Sequence, residues 1–180
     1  MKWERKHKLE ENVEWTGLPE SEMEPFKAYV NGKTPGICGT YAAAALTVLM
    51  AKREEVVTQT MDELLKGMEA SIEYAFPYRG TFYWDVQRGL NDEWKKYGYK
   101  TRFNLFSEKV TPSLLEDGVP VIVGTTAALG SPYKNHWVVV YQYAFDSNGK
   151  LWYKTYDNHG SITTVIPAVQ TLCAIWLEKL

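Results

Sequence analysis

The sequence predicts an α+β fold in which a mainly helical first half precedes an antiparallel sheet. An alanine-rich run at 37–50 has strong helix propensity, and recognisable helix starts follow it. After residue 99 the pattern changes to short runs rich in β-branched and aromatic side chains. Because strands follow helices instead of alternating with them, a mostly antiparallel sheet is favoured over a parallel one.

The chain begins with a polar segment, 1–34, that contains two prolines and shows no sustained hydrophobic period. We interpret it as an N-terminal arm that wraps around the rest of the domain. Its aromatic residues Trp3, Trp15 and Phe26 are expected to anchor it there.

Two helices have clear starts. A loop signal at 34–36 precedes the alanine-rich run, so a buried helix is expected to begin close to Cys38. Thr60 and Glu63 have the spacing of a capping box, in which each side chain binds the backbone N–H of the other residue. A second helix is therefore predicted directly after Thr60.

The remaining elements follow from a helix cap, a proline and short runs of β-branched and aromatic residues. Thr81 is a candidate cap for a third helix that Gly98 would end, and a short helix with proline at its first position fits 111–118. The predicted strands lie at 99–106, 119–126, 136–145, 151–157, 162–166 and 172–177. The turn-forming residues 146–149 predict a hairpin between two of these strands.

Composition excludes several classes of function. The 180 residues, 45% of them hydrophobic, suffice for one core, so a single domain over 1–180 is expected. The net charge of -2, with both signs mixed, argues against nucleic acid and anionic membranes as partners. Without a secretory signal or an apolar run of roughly 20 residues, the chain is expected to be soluble, not inserted in a membrane, and cytoplasmic by default.

Cys38 is the candidate nucleophile. A helix N-terminus favours the thiolate, so we expect the pKa of Cys38 to be lowered. Gly36 and Gly39 flank it and would allow the backbone to approach a substrate carbonyl, with the Cys38 N–H as one oxyanion donor. The alternative is a small buried side chain, which is the interpretation that we favour for Cys173 in its apolar strand.

His136 is the candidate base, because it opens an apolar strand, whereas His7 lies in a charged tail. If 146–149 form the turn, facing positions sum to about 295, which places Asp157 diagonally on the face of His136. A loop one residue longer or shorter would bring Asn158 there instead. His159 reads as a surface turn residue, because its spacing from the other candidate ligands is not that of a metal site.

Four segments of the chain together resemble the papain-like cysteine peptidases, and in particular the bacterial double-glycine peptidases that remove bacteriocin leaders, with their stand-alone relatives. They are 36–44, 114–123, 135–140 and 156–158. The resemblance implies a papain-like fold with Cys38 as nucleophile, His136 as general base and Asp157 as the orienting acid. It implies a peptide or protein substrate and neither a metal nor another cofactor.

The sequence departs from that family at the oxyanion hole. Papain-like enzymes usually carry a glutamine about six residues before the cysteine, where this chain has Gly32 with Asn31 beside it. Asn31 is the candidate substitute donor. The implied function is hydrolysis of a peptide bond through a thioester, with another thiol acyl transfer, of the transglutaminase or amide-ligase type, and a non-catalytic peptide-binding homologue as alternatives.

Aromatic residues are expected around the active site as well. Tyr78, Phe82, Tyr83 and Trp84 lie before and within the third helix and are predicted to form a cleft wall. Trp137 follows His136 on a strand and should therefore point to the opposite face, into the core.

Overall fold

The computed structural model describes residue 9 and residues 12–32, 36–78 and 80–180. The helices are α1 Cys38–Arg53, α2 Met61–Glu73, α3 Tyr83–Trp94 and α4 Thr111–Glu116. The strands are β1 Thr16–Gly17, β2 Tyr99–Asn104, β3 Val121–Thr125, β4 His136–Phe145, β5 Leu151–Tyr156, β6 Thr164–Pro167 and β7 Thr171–Lys179. The predicted order of helices and strands is confirmed, apart from β1, a two-residue strand within the N-terminal arm.

The strands form one sheet in the order β2-β7-β3-β4-β5-β6, with β1 paired to β4, and each neighbouring pair is antiparallel. Helix α1 packs against β4 and β3 on one side and against α2 and α3 on the other. Its residues Ala42, Ala43, Ala44 and Ala45 are completely buried. Such small side chains let the helix axis approach the sheet closely, so the start of α1 comes to lie beside the start of β4.

Of the two predicted helix caps, the one at the start of α2 is confirmed and the one at the start of α3 is wrong. The capping box of α2 is present, with the Thr60 N–H donating to Glu63 Oε2 at 2.9 Å and the Glu63 N–H to Thr60 Oγ1 at 3.3 Å. Thr81 does not cap α3, because its hydroxyl donates to Glu73. Asp85 caps α3 instead by accepting the Phe82 N–H at 3.0 Å.

The N-terminal arm is anchored by two of the three predicted aromatic residues. Phe26 is 2% exposed and packs against Tyr156, with ring centroids 5.5 Å apart. The ring of Trp15 lies under the Lys154 ammonium, 4.6 Å from it. Trp3, together with the first part of the predicted loop at 34–36, falls outside the described residues.

The hairpin between β4 and β5 differs from the predicted register near its turn. Facing positions there sum to 296, as in Phe145 opposite Leu151, because the loop is one residue longer than expected. A bulge between Val140 and Gln142 then restores the sum of 295, so Val139 faces Tyr156. A bulge absorbs one residue of offset. The pairing predicted for the neighbourhood of His136 is therefore correct, although the turn is one residue longer than predicted.

Within the described residues, no helix combines the length and the apolar character that crossing a membrane requires.

Two glycines in the helices test the packing between α2 and α3. A Cβ on Gly89 would lie 2.4 Å from Cγ1 of Ile72, which is buried, whereas one on Gly67 would meet nothing closer than Gln59 Oε1 at 3.9 Å. We expect Gly89→Ala to lower the free energy of unfolding by about 1–3 kcal/mol through overpacking. Gly67→Ala should raise it by up to about 1 kcal/mol, because alanine has the higher helix propensity.

Urea denaturation of both variants, followed by circular dichroism, measures these two changes. Equal stabilisation by the two alanines would contradict the close approach of α2 and α3 at Gly89.

Candidate active site

A cavity of about 450 Å³ lies where α1, α3 and β4 begin. Cys38 and His136, 98 positions apart in the sequence, both contribute to its wall. The other residues that line it are Gly36, Gly80, Thr81, Phe82, Tyr83, Trp84, Leu105, Gly124, Thr125, Thr126, Asn135, Trp137, Leu172 and Cys173. The fold thus brings the predicted nucleophile and the predicted base to one concave site.

Cys38 is the first residue of α1 and is half-buried. Burial raises the pKa of its thiol, and the carboxylate of Glu73 raises it further. The backbone N–H groups of Trp137, Gly39 and Cys38 itself are directed at the sulfur and act in the opposite direction. The expected lowering of the pKa by the helix N-terminus is therefore wrong, because desolvation outweighs the N–H groups, and the resting group is a neutral thiol.

Cys173 is the more deeply buried of the two cysteines. It lies in β7, is 4% exposed, and burial raises the pKa of its thiol to about 12. Its backbone has a φ of 66° and its N–H donates to the carbonyl of Leu105 at 2.9 Å, next to the irregularity in the pairing of β3 with β7. These observations agree with a structural cysteine.

His136 is held by its neighbours in a single tautomer. Its Nε2 lies 2.7 Å from the backbone carbonyl oxygen of Asp157. Because a carbonyl oxygen only accepts hydrogen bonds, Nε2 must carry the proton, and Nδ1 of the neutral ring is then unprotonated. Burial lowers the pKa of His136 to about 4, against a smaller opposing effect of the bond to Asp157. The imidazole is neutral at pH 7.

Two rings stack on His136. The exposed ring of His159 lies 4.1 Å from it between centroids, and the ring of Tyr133 lies 5.9 Å away. They fix the plane of the imidazole. His159 is thus in contact with the candidate base rather than being only a surface turn residue.

The carboxylate of Asp157 has other partners. Its Oδ1 accepts the N–H groups of His159 and Ser161, at 2.9 and 3.0 Å, and its Oδ2 accepts the hydroxyl of Thr164 at 2.7 Å. Asp157 and His136 are adjacent, as predicted, but the hydrogen bond between them uses the main chain of Asp157. The side chain closes the turn that holds this main chain in place.

The two asparagines form a buried pair. Asn31 Nδ2 donates to Asn158 Oδ1 at 2.6 Å, and Asn158 Nδ2 donates to the carbonyl of Trp137 at 2.9 Å. Asn158 is 0% and Asn31 6% exposed. The amide of Asn31 is directed at Asn158 and not into the cavity, where an oxyanion donor would have to be. The pair joins the N-terminal arm to the segment after β5 and to β4.

Trp137 belongs to the buried core, as predicted, but it also lines the cavity, from which it was expected to point away. Its indole N–H donates to the carbonyl of Thr81 at 2.8 Å. A Cβ on Gly124 would lie 3.1 Å from the indole ring, so glycine there gives the ring its room. Of the four aromatic residues predicted to form the wall, Phe82, Tyr83 and Trp84 line the cavity, and Tyr78 packs behind Phe82 with centroids 5.3 Å apart.

The sequence did not indicate that Glu73 and Thr81 lie near Cys38. Glu73 Oε1 accepts both the N–H and the hydroxyl of Thr40, at 3.0 and 2.8 Å, and Glu73 Oε2 accepts the hydroxyl of Thr81. A Cβ on Gly39 would lie 2.5 Å from Thr81 Cγ2, so this glycine admits Thr81 rather than a substrate. A carboxylate at the last position of a helix, where the helix dipole disfavours it, is the signal that could have drawn attention to Glu73.

Three or more His, Cys, Asp or Glu side chains in an arrangement suited to a metal ion are not found among the described residues.

The neutral state of buried His136 predicts a pH dependence of stability. Between pH 6.5 and about 4 the unfolded chain binds a proton at His136 that the folded chain does not, so stability falls as the pH falls through this range. We expect a loss of about 3 kcal/mol of unfolding free energy from pH 7 to pH 4 that His136→Gln abolishes. His159→Gln, which changes an exposed histidine, should retain most of it.

Urea denaturation at both pH values measures the difference. The same pH dependence in His136→Gln as in the unchanged protein would contradict a buried neutral imidazole.

Several solved structures resemble this chain. The peptidase domain of Streptococcus ComA, a bifunctional ABC transporter involved in a quorum-sensing pathway, is similar to this chain with a TM-score of 0.47 and 19% sequence identity. The similarity covers 78% of this chain and 93% of that domain. No protein-family model matches the chain. No curated protein sequence matches it either.

Proposed function

We propose that this chain is a cysteine peptidase in which Cys38 attacks a peptide carbonyl and His136 serves as general base. The observation that carries the proposal is the hydrogen bond from His136 Nε2 to the Asp157 carbonyl, because it leaves Nδ1 as the unprotonated nitrogen. Cys38 lines the same cavity, and the N–H of Trp137, the residue after His136, is directed at its sulfur. A thiol and a basic nitrogen in one cavity are the parts that nucleophilic acyl transfer needs.

Acylation starts from a neutral pair, since burial raises the pKa of Cys38 and lowers that of His136 to about 4. Nδ1 takes the thiol proton as the sulfur attacks the carbonyl carbon, so the charges form only as the reaction proceeds. The tetrahedral intermediate collapses when the imidazolium returns the proton to the leaving amine. A thioester on Cys38 and a free amine result.

Deacylation repeats these steps with water. Nδ1 removes a proton from a water molecule, the hydroxide adds to the thioester carbonyl, and the second tetrahedral intermediate expels the Cys38 thiolate. The thiolate recovers its proton from His136, and the product leaves with a new carboxyl terminus. Throughout, Nε2–H stays bound to the Asp157 carbonyl, which stabilises the imidazolium that forms in each half.

The oxyanion is assigned to backbone donors. The N–H groups of Cys38, Gly39 and Trp137 converge on the sulfur, and an oxygen bound to the carbon under attack lies next to that sulfur. The Trp137 N–H would supply the hydrogen bond that a glutamine amide gives in papain-like enzymes and that this sequence lacks. The buried pair of Asn31 and Asn158 fixes the backbone of Trp137, because Asn158 Nδ2 donates a hydrogen bond to the Trp137 carbonyl.

The cavity wall suits an extended peptide with apolar side chains. Phe82 and Trp84 stack with centroids 4.6 Å apart, and both are more than two-fifths exposed. Leu105 and Leu172 line the same cavity and are 46% and 47% exposed. Exposed apolar side chains around a reactive thiol favour a peptide substrate over a charged small molecule.

Cys38→Ala and His136→Ala are each expected to reduce hydrolysis at least about a thousandfold, because members of such a pair act as a unit. The probe is a peptide library made from a digested proteome, incubated in water enriched in oxygen-18 and analysed by mass spectrometry for new carboxyl termini. Cys173→Ala is the matched control, since it removes the other thiol of the cavity and should leave turnover close to that of the unchanged protein.

Unchanged turnover in Cys38→Ala would refute the proposal. In a second reaction, hydroxylamine or a glycine ester is supplied as an acceptor. New termini that carry this added amine instead of oxygen-18 would show that the chain is an acyl transferase and not a peptidase. If the chain binds peptides but produces no new termini, it is a peptide-binding protein of the same fold and not an enzyme.

Asp157→Asn tests whether the main-chain carbonyl or the side-chain carboxylate of Asp157 orients the imidazole of His136. The substitution keeps the carbonyl that binds His136, and its amide oxygen can still accept the N–H groups of His159 and Ser161. We expect kcat to fall less than about tenfold, whereas removal of a carboxylate that itself holds the imidazole costs roughly ten-thousandfold in serine proteases. A loss of the larger size in the folded variant would assign the role to the carboxylate.

A further inference from the structure

Helix α1 begins without a cap from its own side chains. Its N-cap residue is Ile37, whose apolar side chain has no acceptor, and the first turn, Cys38-Gly39-Thr40, contains no acidic residue. The free N–H groups of a first helical turn need acceptors when they are shielded from water. Here the Thr40 N–H finds its acceptor on another helix, at Glu73 Oε1, 3.0 Å away.

Glu73 occupies an unfavourable position in α2. It is the last residue of that helix, where the carbonyl ends repel a negative charge, and burial raises the pKa of its carboxyl group above the usual value. Against these costs stand three hydrogen bonds, from the Thr40 N–H, the Thr40 hydroxyl and the Thr81 hydroxyl. All three partners belong to the site around Cys38.

Thr81 continues the connection from Glu73 to the strand of the base. Its hydroxyl binds Glu73, its methyl group fills the space beside Gly39, and its carbonyl accepts the Trp137 indole N–H at 2.8 Å. The start of α1 and the start of β4 are therefore joined twice. One junction is the N–H of Trp137 directed at the Cys38 sulfur, and the other runs through Glu73 and Thr81.

We propose that Glu73 is a positioning residue, which caps the helix of Cys38 from α2 and, through Thr81, holds the nucleophile against the start of β4. Its role in turnover rests on the proposed function, whereas its effect on the thiol does not. Glu73 touches neither substrate nor reacting atoms in this role. It sets where the sulfur lies relative to the imidazole.

The negative charge of Glu73 has a second effect, which distinguishes it from a purely structural cap. It raises the pKa of the Cys38 thiol. Within the part of the chain that the structure describes, titratable groups around this site include His136 across the cavity, Asp85 of α3, which raises the pKa of Glu73, and Tyr74 directly after α2. Asp85 is paired with Arg88 at 2.8 Å.

Two substitutions separate the reach of the side chain from its charge. Glu73→Gln keeps the length of the side chain and removes its charge. Its amide oxygen can still accept the hydrogen bond from Thr40. Its NH₂ group can donate to the Thr81 hydroxyl, which can turn and donate to the Gly36 carbonyl at 3.4 Å. Glu73→Asp keeps the charge and is shorter by one methylene. Glu69→Gln, which removes a charge from the same helix one turn earlier, is the matched control.

The first measurement is the rate at which iodoacetamide alkylates Cys38 between pH 6 and 10, followed by mass spectrometry of the peptide that contains it. It needs no substrate and no peptidase activity. In Glu73→Gln the midpoint of the profile should move to lower pH, with a rate at pH 7 that rises roughly twofold or more. Glu69→Gln should give the profile of the unchanged protein. An unmoved midpoint in Glu73→Gln would overturn the inference.

The second measurement is turnover of a peptide found by the oxygen-18 experiment. Glu73→Asp should lower kcat at least about tenfold with KM changed less than about twofold, because a misplaced nucleophile slows the chemical step. Glu73→Gln should keep its plateau kcat within about threefold of the unchanged protein. Unchanged kcat in Glu73→Asp would overturn the inference, and so would an equal loss in both variants.

Thr81→Val provides a variant that leaves Glu73 in place, should Glu73→Asp fail to fold. It removes the hydroxyl that joins Glu73 to the segment before α3 and keeps a side chain of the same shape. The same loss of kcat at constant KM is expected. A kcat equal to that of the unchanged protein in folded Thr81→Val would overturn the inference.

Discussion

The close packing of α1 against β4 is the constraint on which the rest of the structure depends. The four consecutive alanines of α1 are completely buried, and they let the helix approach the sheet. Only this approach brings the first residue of the helix beside the first two residues of the strand. Larger side chains at those of the four positions that face the sheet would move the two elements apart, and in an enzyme a shift of about 1 Å is enough to cost roughly a hundredfold in rate.

The same packing sets the electrostatics of the site. A cysteine at an exposed helix start would ionise readily, but burial at this junction raises the pKa of Cys38 and lowers that of His136 to about 4. Both groups are therefore neutral at rest. The N–H groups around the sulfur would stabilise negative charge only once it forms, which is the property that the proposed acyl transfer requires.

Most of the fold could be predicted from the sequence because its signals are local. The capping box at Thr60 depends on neighbouring residues. So does Gly98, with a φ of 76°, which ends the single 3-10 turn Lys95–Tyr97 that follows α3. The runs of β-branched and aromatic side chains that form the strands are local signals as well. The candidate nucleophile and the candidate base could be singled out for the same reason, since each is the first residue of its element. Glu73 was not, because its partners are Thr40 and Thr81, and pairing across 33 and 8 positions leaves no local pattern.

The contact between Asp157 and His136 depends on the register of β4 and β5 and on the turn that follows β5. Parity along β4 and β5 places Asp157 beside His136, and it holds only because a bulge near Tyr141 cancels the longer turn. Parity says nothing about whether main chain or side chain makes the contact. That choice is made by the turn after β5, where two N–H groups and a hydroxyl draw the carboxylate away and leave the Asp157 carbonyl facing the ring. An acidic residue at this position can therefore act on the imidazole by folding the turn that presents a carbonyl to it.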